Sequence, residues 1–292
     1  MKTKIFITGI SSEMVLTFIK YIDLSKYEIY GLSRAPEAIK TNLKINLIKG
    51  DILDLSSFQT YIKECSIIIH AAAITHSFNQ KKYFDFNLEA TKNIVKLAIK
   101  NKVEKFIFIS SNTAGERSGA YGKTKFLAEK YIKNNFPNWL ILRPSEVYGV
   151  RKSEGIDIFI SDNLKNPIAF YPAGVPSKLY PIHIDDVGSI LYNIIFREKL
   201  IREKITICGP KGYSFPELLK LIEVHRKKFI TTIPIAKKIM FLIEKICEAF
   251  PFYIGIIPDQ ISRLYSEKNT GTTLYYKGEK TLESYLKERP LL

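Results

Sequence analysis

Cysteine is scarce in this chain of 292 residues: Cys65, Cys208 and Cys247 stand far apart and form no CxxC pair. That excludes a disulfide scaffold and a zinc ribbon, and it fits a reducing, cytoplasmic compartment. Histidine is nearly as sparse, and His70, His76, His183 and His225 fall in no HExxH or other metal-ligating spacing, so no metal site is expected. No run of about 20 uncharged apolar residues is present, and a spanning helix is not expected. The opening MKTKIFITGISSE turns polar after a few apolar residues, unlike a signal peptide. There is no internal repeat and no low-complexity tract. Acidic residues are also few, 29 against 44 basic ones, which leaves a net charge of +15. That surplus suits an anionic partner such as a nucleotide or an acidic membrane surface. The lysines are dispersed along the chain, however, and no basic arm suggests nucleic acid.

What is present is a succession of short apolar runs alternating with helical patterns. Lys4 to Thr8, Tyr27 to Leu32, Ile45 to Ile48, Ile67 to Ile69, Phe106 to Ile109 and Trp139 to Leu142 read as strands. Helices are predicted between them, among others over about Ser12 to Tyr21, Asn87 to Lys100 and Tyr121 to Asn134. Continuous apolar strands separated by helices indicate a parallel sheet covered on both faces, a doubly wound α/β fold. In such folds the ligand lies beyond the carboxyl ends of the strands. The polar clusters fall there: Thr8-Gly9, Ser33-Arg34, Gly50-Asp51, His70 to Ala73 and Ser110-Ser111. Residues 1–150 are therefore expected to form the nucleotide-binding domain, with segments near 181–208 returning to it. Residues 151–292 would supply a smaller lobe and the C-terminal helices. In Ile235 to Phe250 a helical wheel gathers Lys237, Lys238, Glu244, Lys245 and Glu248 on one arc, opposite Ile235, Ile239, Leu242, Ile243, Ile246 and Phe250. The apolar arc is expected to face the protein core, with a dimer mate or a membrane interface as the other possible occupants.

Tyr121 and Lys125 stand four residues apart in YGKTK, on one face of a helix. A free tyrosine ionises near ~10, and a cation one turn away favours the phenolate and makes it usable as an acid or base on a hydroxyl. Ser111, at a strand end, can hold the same substrate oxygen. The ordered series Thr8-Gly9, Gly50-Asp51-Ile52, HAAA at 70–73, Asn87 through Thr91, Ser110-Ser111, YGKTK and LRPSEVYG at 142–149 resembles the extended short-chain dehydrogenase/reductase superfamily, in its NAD-dependent epimerase/dehydratase branch. Pro181-Ile182-His183-Ile184-Asp185-Asp186-Val187 is similar to that branch's return segment.

The resemblance implies a Rossmann fold, catalytic positions at Ser111, Tyr121 and Lys125, and NAD or NADP as cofactor. Its cofactor positions correspond to Gly9, Ser11, Ser12, Glu13, Met14, Ser33, Arg34, Asp51, Ile52, Ala71, Ala72, Ala73, Asn87, Lys125, Pro144 and Val147. Arg34 could take a 2′-phosphate or stack on adenine, leaving NAD and NADP both open. The implied substrate is a nucleotide-diphosphate sugar, free or lipid-linked, with Thr75, Ser111, Arg151, Lys178 and Tyr180 as substrate-side residues. A homodimer is implied in the same way.

Two departures qualify the match. The family's TGxxGxxG turn keeps Gly9 but has Ser12 and Val15 at the second and third glycine positions, with Glu13 between them. Only Asn112 to Ala120 separate Ser111 from Tyr121, a compact form resembling reductases and the nucleotide-binding accessory subunit of respiratory complex I. The tail from Thr232 to Asn269 resembles that subunit's group as well as epimerases of lipid-linked sugars. A sugar-nucleotide epimerase, a carbonyl reductase and a non-catalytic dinucleotide-binding subunit are the alternatives this leaves.

Overall fold

A computed structural model describes residues 2–150, 155–250, 258–269 and 271–288. Its centre is an eight-stranded sheet. In chain order the strands are β1 (Thr3–Thr8), β2 (Tyr27–Ser33), β3 (Asn46–Lys49), β4 (Ile67–His70), β5 (Lys105–Ile109) and β6 (Trp139–Pro144). Two short strands, β7 (Val147–Tyr148) and β9 (Ile182–His183), pair with each other, and β8 (Ile168–Pro172) pairs with β11 (Thr231–Ile235). The chain returns to the main sheet with β10 (Glu203–Cys208) and β12 (Leu274–Lys277). The order is β12-β10-β6-β5-β4-β1-β2-β3 and every pairing is parallel. The winding reverses between β1 and β4, so their carboxyl ends open the crevice that binds ligands in doubly wound folds.

The uninterrupted apolar strands follow from alternation across two buried faces. Phe6, Ile68, Phe106, Phe108 and Ile141 enter one core, under α4 (Ala90–Lys100) and α5 (Gly119–Asn135). Their chain neighbours Ile5, Ile7, Ile69, Ile107, Leu140 and Leu142 enter the other, with α1 (Glu13–Ile19) and α7 (Ile184–Tyr192). A third core joins α6 (Ile156–Lys165), α8 (Phe215–Arg226) and α11 (Leu282–Glu288), and includes Tyr148, Ile160, Leu218, Ile222 and Leu286. The short helices α2 (Gln59–Ile62) and α3 (Gln80–Tyr83) lie in the first half. Helix α9 (Lys237–Ala249) and α10 (Pro258–Leu264) pack against each other in the C-terminal part. No helix is long and apolar enough to cross a membrane among the described residues.

Three features differ from the sequence expectations. Strand β12 completes the sheet edge where no strand is expected, because Leu274–Lys277 is short and its side chains alternate between half-buried and exposed. Ile235 ends β11 instead of opening a helix. Helix α9 is turned the other way round: Met240, Glu244 and Cys247 face inward, while Ile239, Leu242, Ile246 and Phe250 are exposed. Polar contacts set that rotation, with the Ser262 amide and hydroxyl both donating to Glu244.

Candidate active site

The crevice begins at the β1 turn. Gly9 has φ +72°, and a Cβ there would lie 2.7 Å from the Ala72 backbone nitrogen. Only glycine fits both the left-handed backbone and the close approach of the two strand ends. Ser12 opens α1 without a side-chain cap bond, and a helix start carries amide donors lacking internal acceptors, a donor set suited to a diphosphate. The valine in place of the third glycine is accommodated by burial: Val15 joins the core with Ile10 and Phe18. The close-packing glycine is on the facing helix instead, where a Cβ on Gly188 would sit 3.0 Å from Thr17 Cγ2 and 3.3 Å from the Phe18 nitrogen.

Behind the crevice runs a buried polar chain. His70 Nδ1 is 2.7 Å from Thr8 Oγ1 and Nε2 is 2.8 Å from Thr91 Oγ1. Burial, reinforced by the charge of Lys125, lowers the His70 pKa to about 3, so its ring is neutral. Asn87 lies in a π-type stretch, Phe84–Glu89, of the kind that interrupts helices at functional sites. Its amide clamps the loop after β4, accepting from the Ile74 amide at 2.8 Å and donating to the Ile74 carbonyl at 2.9 Å.

Ser111, Tyr121 and Lys125 come together past the end of β5. The Ser111 hydroxyl is 2.9 Å from Thr113 Oγ1 and accepts from the Thr113 amide at 3.2 Å, and it lies near enough to Tyr121 to favour the phenolate. Lys125 Nζ donates to the carbonyl of Ile109, the last residue of β5, at 2.8 Å, and lies 4.5 Å from the Phe108 ring centroid. Burial pushes its pKa down to about 7, against the pull of Glu129. Glu129 itself is locked below in a fully buried ion pair with Arg143, at 2.8 and 2.7 Å, and accepts from Ser110.

The electrostatics of the tyrosine differ from the YxxxK expectation. Tyr121 ionises above its ordinary value because burial outweighs the opposing influences of Arg263 and Ser111. The cation at the ring is Arg263, whose guanidinium carbon is 4.6 Å from the Tyr121 centroid, while Lys125 is directed at the β5 carbonyl.

Arg263 belongs to a clamp that sequence reasoning missed. On α10, Asp259 and Arg263 form an i,i+4 ion pair at 2.8 Å. Asp259 Oδ1 accepts from the Tyr121 amide at 3.0 Å, and the nearby Ala120 amide also favours the ionised carboxylate. Ser118, the N-cap of α5, makes no side-chain cap bond, so a carboxylate from another helix caps α5 in its place. Gly119 makes room: with φ +62°, its Cβ would fall 2.3 Å from Asp259 Oδ1. Arg263 also donates to the Thr75 carbonyl at 3.0 Å, tying α10 to the loop after β4. The available signal is the D-x-x-x-R spacing in a helix, Asp ahead of Arg, but its partner is remote in sequence.

The remaining expected residues are dispersed around this centre. Ser33 and the exposed Arg34 end β2, and the Ser33 hydroxyl accepts from the Ala35 amide. Asp51 Oδ1 accepts from the Leu53 amide at 2.9 Å, while Ile52 is packed in the core. Ser11 is exposed, Glu13, Met14 and Ala71 to Ala73 are half-buried along the crevice, and Pro144 and Val147 flank the end of β6. Thr75 is held at its carbonyl by Arg263, with its hydroxyl 2.9 Å from His76 Nδ1. Lys178 pairs with Glu217 at 2.9 Å on the surface, away from the clamp. The Tyr180 ring packs over Gly212, and its carbonyl accepts from Ser145 at 2.5 Å. Arg151 lies outside the described residues. Among the described residues no group of three His, Cys, Asp or Glu side chains could hold a metal.

The family model described as "NAD dependent epimerase/dehydratase family" matches residues 5–195. The chain belongs to that family. The doubly wound fold and the family expected from the motifs are thus both found, and NAD or NADP is the cofactor class of the family. The chain resembles the mitochondrial "NADH dehydrogenase [ubiquinone] 1 alpha subcomplex subunit 9" of Dictyostelium discoideum, with 26% identity over 78% of this chain and 63% of that protein. It spans about three-fifths of the length of such relatives. Among solved structures, UDP-glucuronic acid 4-epimerase from Bacillus cereus in complex with NAD superposes with a TM-score of 0.66, 21% identity and coverage of 90% of this chain and 97% of that one. The dTDP-4-dehydrorhamnose reductase from Bacillus anthracis in complex with NADP gives a TM-score of 0.65, 18% identity, and 82% and 85% coverage. Both share the fold.

Proposed function

We propose that this chain is an NAD(P)-dependent enzyme that epimerises or reduces a nucleotide-diphosphate sugar. The observation that carries the reading is the placement of Ser111 beside the buried Tyr121 phenol, with Lys125 one helical turn along on the same buried helix. The glycine cradle at Gly9 and the uncapped start of α1 fit a dinucleotide diphosphate. Gly9, Ser11, Ser12, Glu13 and Met14 would line it; Ser33, Arg34, Asp51 and Ile52 would meet the adenosine half. Ala71 to Ala73, Asn87, Lys125, Pro144 and Val147 would flank the nicotinamide half. When bound, the nicotinamide supplies the redox partner of the sugar carbon.

The chain's own residues would handle the proton. Ser111 holds the reacting sugar oxygen, and Tyr121 Oη exchanges a proton with it. A phenol whose pKa is raised by burial is protonated at neutral pH and poised to donate to a developing alkoxide, which suits carbonyl reduction. The reverse step, as base, draws on Arg263 at the ring face and on Lys125, whose lowered pKa lets it gain and lose a proton near neutrality. Thr75, Arg151, Lys178 and Tyr180 remain candidates for contacts to the sugar or its diphosphate.

A second reading, a non-catalytic dinucleotide-binding subunit, is favoured by the Asp259–Arg263 clamp over the tyrosine and by the complex I subunits among the relatives. One assay separates them: purified protein with NAD and UDP-sugars, product sugars resolved by NMR. An epimerase interconverts C4 epimers with no net nicotinamide reduction, a reductase consumes NADPH with a keto-sugar, and Tyr121→Phe abolishes either. Nucleotide binding with no turnover of either kind would overturn the enzyme reading in favour of the subunit.

A further inference from the structure

Among the described residues, the rotation of α9 leaves an apolar surface without a partner. Along its outward arc stand Ile239, Leu242 and Ile246, 52%, 57% and 43% exposed, with Phe250 just past its end. Amphipathic helices of soluble domains normally present such residues to the core. Here the inner side is occupied by Met240, Glu244 and Cys247. The rotation is pinned by the Ser262 bonds to Glu244 and by Gln80 donating to Glu248 at 2.8 Å. Strand β11, just upstream of α9, and its partner β8 also carry exposed apolar side chains, Ile233 and Phe170, opposite each other in register.

Charge points to the occupant. Lys238 and Lys245 border the apolar arc, and with Lys237, Phe241 and Leu242 they line a surface depression. The helix's two carboxylates, Glu244 and Glu248, are both engaged with other elements, so the arc carries ammonium groups beside hydrocarbon. Apolar side chains bordered by lysines on a helix of about 20 Å match an anionic bilayer surface. A second copy of this chain is a poorer match, because a two-fold contact would set the same lysines against each other.

We propose that the outward face of α9 is a docking surface for anionic lipid. It lies flat on the headgroups, inserting Ile239, Leu242 and Ile246 while Lys238 and Lys245 meet lipid phosphates. The face is independent of the nucleotide site, although α9 packs on α10, which carries the Asp259–Arg263 clamp.

The test is co-sedimentation of the full chain with phosphatidylcholine vesicles, with and without phosphatidylserine, at low and high salt. Binding should be at least about tenfold tighter to the anionic vesicles and weaken at high salt. Lys238→Gln/Lys245→Gln should lower anionic binding roughly 25-fold, about fivefold per lysine. Leu242→Ser/Ile246→Ser should release the protein from both vesicle types, and because all four positions are exposed, an unchanged Tm verifies the fold. Failure to bind anionic vesicles, binding indifferent to both double variants, or a dimer lost in Leu242→Ser/Ile246→Ser would each overturn the proposal, the last by making a second copy the occupant.

Discussion

Replacing Asp259 by alanine removes two interactions at once: the cap on the first turn of α5 and the partner of Arg263. Loss of an N-cap costs about 1 kcal/mol. Breaking a buried ion pair by deleting one partner costs about 3–5 kcal/mol, because the other charge is left uncompensated. Arg263 keeps its bond to the Thr75 carbonyl and is 13% exposed, which places the loss at the low end. The sum is about 4 kcal/mol. For a chain of this size each kcal/mol moves Tm by roughly 2–4 °C, so a drop of about 8–16 °C is expected by calorimetry. A cycle with Arg263→Met gives a second reading. The double variant should lose less than the sum of the singles, because Arg263 is harmful only once its carboxylate is gone. A Tm loss for Asp259→Ala corresponding to less than about 1 kcal/mol, as at an ordinary surface site, would refute the clamp as the cap of α5.

Two further outcomes follow from burial. Val15→Gly, which restores the family's third glycine, should destabilise by about 3 kcal/mol, because Val15 is 2% exposed in the core and glycine is a poor helix former; an unchanged urea midpoint would contradict the packing of α1. Lys125 ionises at about 7 in the folded chain against 10.5 ordinarily. Between those values the unfolded chain holds a proton that the folded one has released, so this group makes stability rise with pH from about 7 to about 10. Lys125→Met should remove up to about 4–5 kcal/mol of that rise and be the more stable protein near pH 6; identical slopes in urea titrations of the two proteins would contradict it.

The sheet was legible because its strands are buried on both faces. Ile5-Phe6-Ile7 and Phe106 to Ile109 are apolar without interruption, whereas a strand with one wet face would alternate. The strand-end clusters were legible because loop chemistry is local. What escaped notice depends on distant partners. Strand β12 alternates weakly and is defined by its pairing with β10. The facing of α9 is decided by Glu244 meeting Ser262, so its amphipathic wheel pointed to the wrong side. Asp259, 138 residues from Tyr121 in the chain, and Arg263, one helical turn beyond it, act on that tyrosine, and the YxxxK spacing alone assigned to Lys125 the electrostatic role that Arg263 occupies in the structure. Val15 illustrates the converse: a valine at the family's third glycine position is absorbed by burial in the core with Ile10 and Phe18.

The central claim is that the crevice at Gly9 holds a nicotinamide dinucleotide against Tyr121. Calorimetric titration of the purified chain with NAD, NADH, NADP and NADPH tests it most directly. At least one nucleotide should bind at micromolar to sub-millimolar concentration, with affinity retained in Tyr121→Phe and lost in Gly9→Val. Heats indistinguishable from dilution for all four nucleotides at millimolar concentration would contradict it.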